Sequence, residues 1–300
     1  MSGHPAAPGP IVAPVEPTAA PRWAARRPTG VPDFDTLTGG LPAGSVVLLF
    51  GEAGSGHHEF ALTSAVRALA AAPPDRTSVP ARSPVGPRAG YSRVAYISVT
   101  RSRRQVLDEL AAAFGTGYPA EIDQAIAFHD LSPEYFSATS VPAAWATLDR
   151  PLLAARDPST SGGGEPLERL AAALDADGPE SLVIVDALTD LLVRPGAEPE
   201  ALVAFVKGLR RQAKVWGGLV YLLLTRGVAP ASTEHALVDS VDGVLSFGWS
   251  RAPNRSERRR VLEIEKFLTV LAHLPEERHG RFSIRVHPLT GLVTTQHERI

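Results

Sequence analysis

Short apolar runs alternate with longer amphipathic runs through most of the chain. The apolar runs are strand-sized and nearly continuous in valine, isoleucine and leucine, which favours strands buried on both faces of a sheet. These predicted strands are residues 45–50, 94–98, 125–129, 181–186 and 218–225. The amphipathic runs predict helices at residues 59–71, 103–114, 166–174 and 200–215. This alternation predicts an α/β fold with a mostly parallel central sheet flanked by helices.

The pattern changes after Asp242, where strand-like runs follow one another without helices between them. The predicted strands are residues 244–249, 260–268, 281–287 and 292–295, with a turn at residues 288–291. We therefore expect antiparallel strands to extend the same sheet at its C-terminal end.

Proline, alanine and glycine content marks the segments outside this core. Residues 1–28 are rich in proline and alanine, have few large apolar side chains, and are predicted to be a disordered tail. Two further stretches, near residues 72–92 and 157–166, read as flexible insertions. The remainder, residues 29–296, is predicted to form a single domain.

Composition narrows the class of protein. The 300 residues are 44% hydrophobic, which supports a buried core, and the net charge of −2 disfavours nonspecific attraction to nucleic acid or anionic membrane. The absence of cysteine excludes disulfides and thiolate metal sites. No apolar run approaches the ~20 residues of a membrane span, and prolines interrupt any signal-like segment near the start. We expect a cytoplasmic protein without membrane contact.

A glycine-rich segment follows the first predicted strand. The strand ends at Phe50, and a helix begins near His58. This order is typical of a P-loop, in which backbone N–H groups wrap a phosphate at a helix N-terminus. Glycines are needed because the loop adopts angles that side chains disfavour. The candidate cofactor is ATP or ADP, and its candidate contacts are Gly51, Glu52, Ala53, Gly54, Ser55, Gly56, His57 and His58.

Two histidines stand where the full motif has a lysine followed by serine or threonine. That lysine reaches the terminal phosphates, and the hydroxyl ligates magnesium. His57 is mostly neutral at an ordinary histidine pKa of about 6.5, and the imidazole of His58 is a poor magnesium ligand. One lost charge-assisted hydrogen bond weakens binding by roughly one to two decades. Hydrolysis loses more, because its transition state depends on the cation and the metal.

Other interpretations of this segment remain open. Glu59 lies in the first helical turn, where its carboxylate would compete with a phosphate for the positive end of the helix. The segment also fits a simple glycine-rich turn with two exposed histidines. A metal site formed by His57 and His58 is a third interpretation, although no further ligand is evident nearby.

Five segments, in order, resemble the KaiC/RadA branch of RecA-type ATPases. Residues 29–45 contain an Asp-x-Leu followed by Gly-Gly-Leu-Pro-x-Gly, and residues 181–186, Ser-Leu-Val-Ile-Val-Asp, resemble the Walker B strand. Residues 241–245, 262–266 and 280–284 resemble later strands of the family, so the similarity spans about residues 27–296. The resemblance implies a RecA-like P-loop fold, magnesium held through water by Asp186, and assembly into rings or filaments.

The catalytic positions depart from that family pattern. Thr100 and Arg101 stand where KaiC-like proteins usually carry a pair of glutamates, one of which is the usual base for water. The Lys-x-Arg that reaches a neighbour's phosphate matches Lys266 and Leu268, so its lysine is kept as a candidate nucleotide contact and its arginine is lost. Asp186 is the candidate metal ligand, with a helix cap or loop anchor as the alternative.

Two further positions carry weaker expectations. Thr225 matches a sensor position only loosely. Asp190 fits a solvated helix residue equally well.

These observations favour a degenerate, non-hydrolysing KaiC-like protein that acts through nucleotide binding, self-assembly and an unidentified protein partner. Its magnesium site, if present, is expected to be weak. The first alternative is an active ATPase that uses His57 as its cation and Lys266 from a neighbouring subunit. The second is a DNA-associated recombinase relative, because the arginine-rich residues 251–260 could contact phosphates. A charged hairpin tip is more often simply solvated, which disfavours this second alternative.

Overall fold

A computed structural model describes residues 25–70, 90–115, 122–146, 165–251, 258–272, 274, 280–288 and 290–296. The strands are β1 (Arg26–Arg27), β2 (Leu41–Pro42), β3 (Ser45–Gly51), β4 (Val94–Ser98), β5 (Ile126–Asp130), β6 (Leu182–Asp186), β7 (Leu219–Thr225), β8 (Gly243–Arg251), β9 (Arg258–Lys266), β10 (Arg281–His287) and β11 (Gly291–Gln296). The helices are α1 (Pro32–Thr38), α2 (His57–Ala70), α3 (Arg103–Phe114), α4 (Ile122–Ala125), α5 (Ser132–Phe136), α6 (Ala143–Ala146), α7 (Pro166–Asp177), α8 (Leu188–Val193), α9 (Pro199–Trp216), α10 (Ala231–Ser240) and α11 (Leu268–Leu271).

Nine strands form one sheet in the order β11-β10-β9-β8-β3-β7-β6-β4-β5. Strands β8, β3, β7, β6, β4 and β5 are parallel to their neighbours within that group. Strands β9, β10 and β11 continue the sheet in antiparallel pairing from β8 onward. The α/β prediction and the antiparallel C-terminal extension are therefore confirmed. Strand β8 belongs to both parts, because it is parallel to β3 and antiparallel to β9.

The central strands are apolar throughout because helices cover both faces of the sheet. Every residue of β3, β4 and β6 is buried. Successive side chains of a strand point to opposite faces. In β3, Val47 and Leu49 accordingly enter one core cluster, whereas Val46, Leu48 and Phe50 enter the other. The continuous apolar runs in the sequence follow from this two-sided burial.

The carboxyl ends of the parallel strands lie along one edge of the sheet. Gly51 pairs in register with Thr225 of β7, and Ser98 of β4 pairs with Asp186 of β6. Loops that leave this edge build ligand sites in open parallel sheets. The glycine-rich loop and Asp186 are thus brought together from distant parts of the sequence.

The structure also differs from the sequence predictions. Arg26 and Arg27 fall in the range predicted as disordered, yet they pair with Leu41 and Pro42 as a small antiparallel sheet. The predictions missed α10 and also the helices of seven residues or fewer, α1, α4, α5, α6, α8 and α11, which are too short to give a clear periodic signal; residue 268, predicted as the end of a strand, lies in α11. Residues 1–24, 72–89 and 157–164, which include most of the predicted tail and insertions, lie outside the described residues.

Among the helices that the structure describes, none has both the length and the apolar character needed to cross a membrane.

Candidate functional site

The glycine-rich loop has the strand–turn–helix geometry that the sequence predicted. Strand β3 ends at Gly51, and α2 begins at His57. The backbone N–H and the hydroxyl of Ser55 both donate to the Glu52 carbonyl, at 3.0 and 2.6 Å, and so close the turn. Gly54 and Gly56 have φ angles of +70° and +117°, which side-chain-bearing residues rarely adopt. The glycine spacing is therefore required by the backbone of the loop.

His57 is folded back into this loop. Its side chain is buried, and Nδ1 has no hydrogen-bond partner among the described residues. A Cβ placed on Gly51 would lie 2.5 Å from that nitrogen, so the ring covers the first glycine. Burial, followed by the nearby His58, lowers the pKa of His57. The ring is therefore neutral at neutral pH, and it does not supply the cation expected of an unorthodox P-loop.

Asp186, at the end of β6, holds a dense set of polar contacts. Its Oδ2 accepts a hydrogen bond from the Tyr96 hydroxyl at 2.6 Å and one from Arg101 Nη1 at 3.0 Å. Arg101 also pairs with Glu109 of α3. A positive guanidinium therefore lies directly on the carboxylate that would hold magnesium, between β4 and β6.

His58 completes the same cluster. Its Nε2 lies 2.6 Å from Arg101 Nη1 and 3.5 Å from Asp186 Oδ2. Nε2 thus lies between the guanidinium and the carboxylate, and the other ring nitrogen, Nδ1, lies 3.8 Å from Glu109. The rings of His57 and His58 thus face different surroundings, which contradicts the interpretation of a metal site formed by both.

The electrostatics of Asp186 reflect these contacts. Burial by itself would raise the pKa of the carboxyl, but His58, Arg101 and Tyr96 stabilise the ionised form and hold the pKa at about 2. The carboxylate is therefore charged and already neutralised by an internal cation. His58 stands where the usual motif has a hydroxyl, and magnesium prefers hard oxygen ligands to an imidazole nitrogen. These residues do not fit a magnesium ion. The alternative of a side-chain helix cap is wrong too, because α8 begins after Ala187 without a side-chain capping bond.

The architecture is that of known P-loop proteins. The KaiC-like protein PH0186 from Pyrococcus horikoshii OT3 superposes with a TM-score of 0.58 at 18% identity, over 90% of this chain and 99% of that one. The flagellar accessory protein FlaH from Methanocaldococcus jannaschii superposes with a TM-score of 0.57 at 14% identity, over 88% and 96% of the two chains. No protein-family model matches the sequence, and no curated protein matches it significantly.

The chain has the KaiC-type, RecA-like P-loop fold. At identities this low the likeness concerns the fold alone, and it places no functional residue. The roles of individual side chains in this KaiC-type fold therefore rest on the geometry of the site.

Lys266 lies away from the loop. Its Nζ donates to the carbonyls of Val238 and Asp239, at 2.9 and 2.8 Å, in the last turn of α10. A cation there satisfies terminal carbonyls and complements the helix dipole. Burial lowers the pKa of Lys266. Within the described residues the chain thus uses this lysine to cap a helix.

The remaining sequence candidates lie beside the Asp186 cluster. The Thr100 hydroxyl donates to Asp190 at 3.1 Å, and burial, reinforced by the charge of Asp186, raises the pKa of Asp190. Asp190 is therefore half-buried and bonded rather than simply solvated. Thr225 donates its backbone N–H to the Thr189 hydroxyl at 2.8 Å. These bonds fix the edge of the sheet and add no metal ligand.

Arg260 of β9 contacts the loop, a role that was not predicted from the sequence. Its Nε donates to the Gly54 carbonyl at 2.9 Å, and Nη2 lies 3.6 Å from the Glu59 carboxylate. The guanidinium also lies 5.3 Å from the centre of the Trp249 ring, and that of Arg258 lies 4.8 Å from the same centre. The available signal was alternation along β9, which puts both arginines on one face. Residues 252–257 of the arginine-rich segment lie outside the described residues.

Proposed function

We propose that this chain is a non-hydrolysing KaiC-type protein that acts by binding nucleotide and by assembling with protein partners. The observation that carries the proposal is the guanidinium of Arg101, 3.0 Å from Asp186. In active P-loop ATPases this region holds magnesium, which bridges the phosphates and neutralises charge that develops during transfer. Here the guanidinium of Arg101, in the segment that follows β4, lies at that position and supplies a positive charge.

Several losses at the site act together against hydrolysis. The KaiC-like glutamate pair is replaced by Thr100, which bonds Asp190, and Arg101, which neutralises Asp186. The buried His57 is neutral where a lysine would be charged. Removing a single preorganised electrostatic contact costs roughly two to three decades in rate. Because the cation, a metal ligand and the base are all changed, the combined loss in hydrolysis rate exceeds the loss from any one of these contacts.

Phosphate binding is supported by different features of the same loop. The first N–H groups of α2 have no intrahelical partner, and the positive end of the helix faces the loop. Gly54 and Gly56 keep the backbone angles that let N–H groups converge. A ligand phosphate is therefore compatible with the backbone, although the histidines have replaced the two polar side chains of the usual motif.

The test is a calorimetric titration of purified protein with ATP, with and without magnesium, combined with phosphate release on the same sample. We expect binding without release. A control variant that rebuilds the usual motif, with His57→Lys, His58→Thr and Arg101→Glu together, asks whether these positions alone suppress turnover. Phosphate release by the unmodified protein that is abolished by Asp186→Ala would refute the proposal.

The proposal includes self-association, because RecA-type domains commonly form rings or filaments. Its measurement is light scattering across a range of protein concentrations, with and without ATP. A monomer under all conditions would remove assembly from the proposal and leave nucleotide binding as the remaining function.

A further inference from the structure

A cationic side chain from β9 lies on the glycine-rich loop. Arg260 pairs directly across from Trp249 in the β8–β9 ladder, and Phe247 of β8 is in register with Gly51 at the end of β3. This register carries Arg260 past the end of β3 and onto the loop. Its Nε bonds the Gly54 carbonyl at 2.9 Å. The loop therefore regains, from a distant strand, a positive charge that its own sequence lacks.

The guanidinium of Arg260 is held in place by the protein, and part of it remains exposed to solvent. One face packs on Trp249, which limits its motion, and Nε is engaged by the loop carbonyl. The side chain is 30% exposed. A guanidinium carries five N–H donors in a planar fork that matches a phosphate. The arrangement leaves donors of Arg260 on the solvent side of the loop.

A second group in the loop lacks a partner. His57 is only 9% exposed, and its Nδ1 makes no hydrogen bond within the described part of the chain. That nitrogen points at Gly51, inside the turn that the Ser55 bonds close. A buried polar atom without a partner is destabilising unless a ligand or water satisfies it. It is independent evidence, besides the helix N-terminus, that the loop accepts a polar ligand.

We infer that Arg260 has taken over the phosphate contact of the missing lysine, and that the loop binds the phosphates of a nucleoside di- or triphosphate as a metal-free anion. The inference rests on the proposed function, whose nucleotide binding it specifies. We expect binding without metal because Arg101 already pairs with Asp186, so this carboxylate is not available as a magnesium ligand.

The carboxylate of Glu59 opposes phosphate binding on the same loop. It lies in the first turn of α2, and its carboxylate is 3.6 Å from Arg260 Nη2. A phosphate on the loop must share Arg260 with this carboxylate and is repelled by it. Arg260 and Glu59 therefore act in opposite directions on the affinity for the same ligand.

The experiment is a titration with ATP and with ADP, by calorimetry, in buffer with EDTA and again with magnesium. Arg260→Gln should weaken metal-free binding by roughly ten- to a hundredfold, the effect of one charge-assisted contact. Arg258→Gln is the matched control, because that arginine stacks on the same Trp249 from an exposed position. It should change the affinity less than about threefold. Glu59→Gln should tighten binding severalfold.

The outcomes separate this inference from the proposed function. Binding in EDTA with opposite effects of Arg260→Gln and Glu59→Gln supports it. Binding that requires magnesium overturns it and leaves the proposed nucleotide binding intact. Equal losses in Arg260→Gln and Arg258→Gln overturn the role of Arg260. Absence of binding under both conditions overturns the inference and the nucleotide-binding part of the proposal, whereas phosphate release contradicts only the proposed lack of hydrolysis. If Arg260→Gln fails to fold, an unchanged affinity in Glu59→Gln overturns the inference by itself.

Discussion

The pairing of Arg101 with Asp186 predicts a strong energetic coupling between the two positions. Arg101→Gln would leave a buried carboxylate without its cation, and breaking a buried pair in this way costs about 3–5 kcal/mol. Asp186→Asn removes the charge, and Arg101 keeps its pairing with Glu109. The double variant should therefore be more stable than the sum of the single changes predicts.

The pKa of Asp186 shows how strongly its surroundings together favour the ionised form. A pKa of about 2 in place of 3.8 means that the contacts of the folded state favour the ionised form, net of burial. At about 1.4 kcal/mol for each pKa unit, this corresponds to about 2 kcal/mol. Because His58 and Tyr96 share this stabilisation with Arg101, we expect the Arg101–Asp186 coupling to fall within the roughly 0.5–3 kcal/mol found for residues in contact.

The sign of the pH dependence is fixed by the same values. Because the folded-state pKa lies below the unfolded one, the stabilisation is present above pH 3.8 and is lost as the pH falls through about 2. Urea unfolding of the parent and of Asp186→Asn, from pH 5 downward, should show a difference in unfolding free energy that shrinks with acidification. Carboxyl groups distant from Asp186 contribute equally to both proteins and cancel in this difference, whereas the pKa of Asp190 falls in the variant because the charge of Asp186 is removed.

Two results would refute this reasoning. Additive effects of the two substitutions, within about 0.5 kcal/mol, would mean that the guanidinium does not neutralise the carboxylate. A parent–variant difference that stays constant from pH 5 to pH 2 would mean that Asp186 is not held in its ionised form by its neighbours. Either result would also remove the main support for the proposed loss of the magnesium site.

Three other predictions concern the metal position, the helix cap and the core. Arg101→Glu should make thermal stability depend on magnesium, by about 1.4 kcal/mol at roughly ten times the dissociation constant, whereas the parent shows no such dependence in a melting assay. Lys266→Met should lower the unfolding free energy in urea by about 1 kcal/mol and leave nucleotide affinity unchanged, and a large loss of affinity would contradict the helix-capping role. Gly243→Ala should destabilise the protein by about 1–3 kcal/mol in the same assay, because the new Cβ would lie 2.1 Å from the Phe267 ring. Gly208→Ala, with no atom within 4 Å of its Cβ position, is the control.

The sheet was predictable because its signal is local. Continuous apolar runs mark strands buried on both faces, and each of the five predicted parallel-sheet runs overlaps an observed strand. The loop was predictable for a related reason, since Gly54 and Gly56 are needed for positive φ angles. Strand ends were less predictable. The run predicted at residues 244–249 extends to Gly243–Arg251, where pairing with neighbouring strands overrides local composition.

The chemistry of the site was less predictable because it depends on strand register. Arg101 and Asp186 are 85 residues apart and meet only because Ser98 and Asp186 pair between β4 and β6. The sequence identified Arg101 as a departure from the family pattern, and nothing local indicated that it would bond Asp186. Arg260 and Gly54 are 206 residues apart and meet through the β3–β8–β9 register.

The guanidinium on Asp186 also changes what the site can sense. A magnesium ion enters and leaves with its nucleotide, so it can compensate a carboxylate only while the ion is bound. Arg101 is part of the chain, in the segment that follows β4, and its local concentration beside Asp186 is the same whatever the cell's supply of ATP or magnesium. The charge of Asp186 is thus compensated in every ligand state, so this position cannot report whether magnesium is bound.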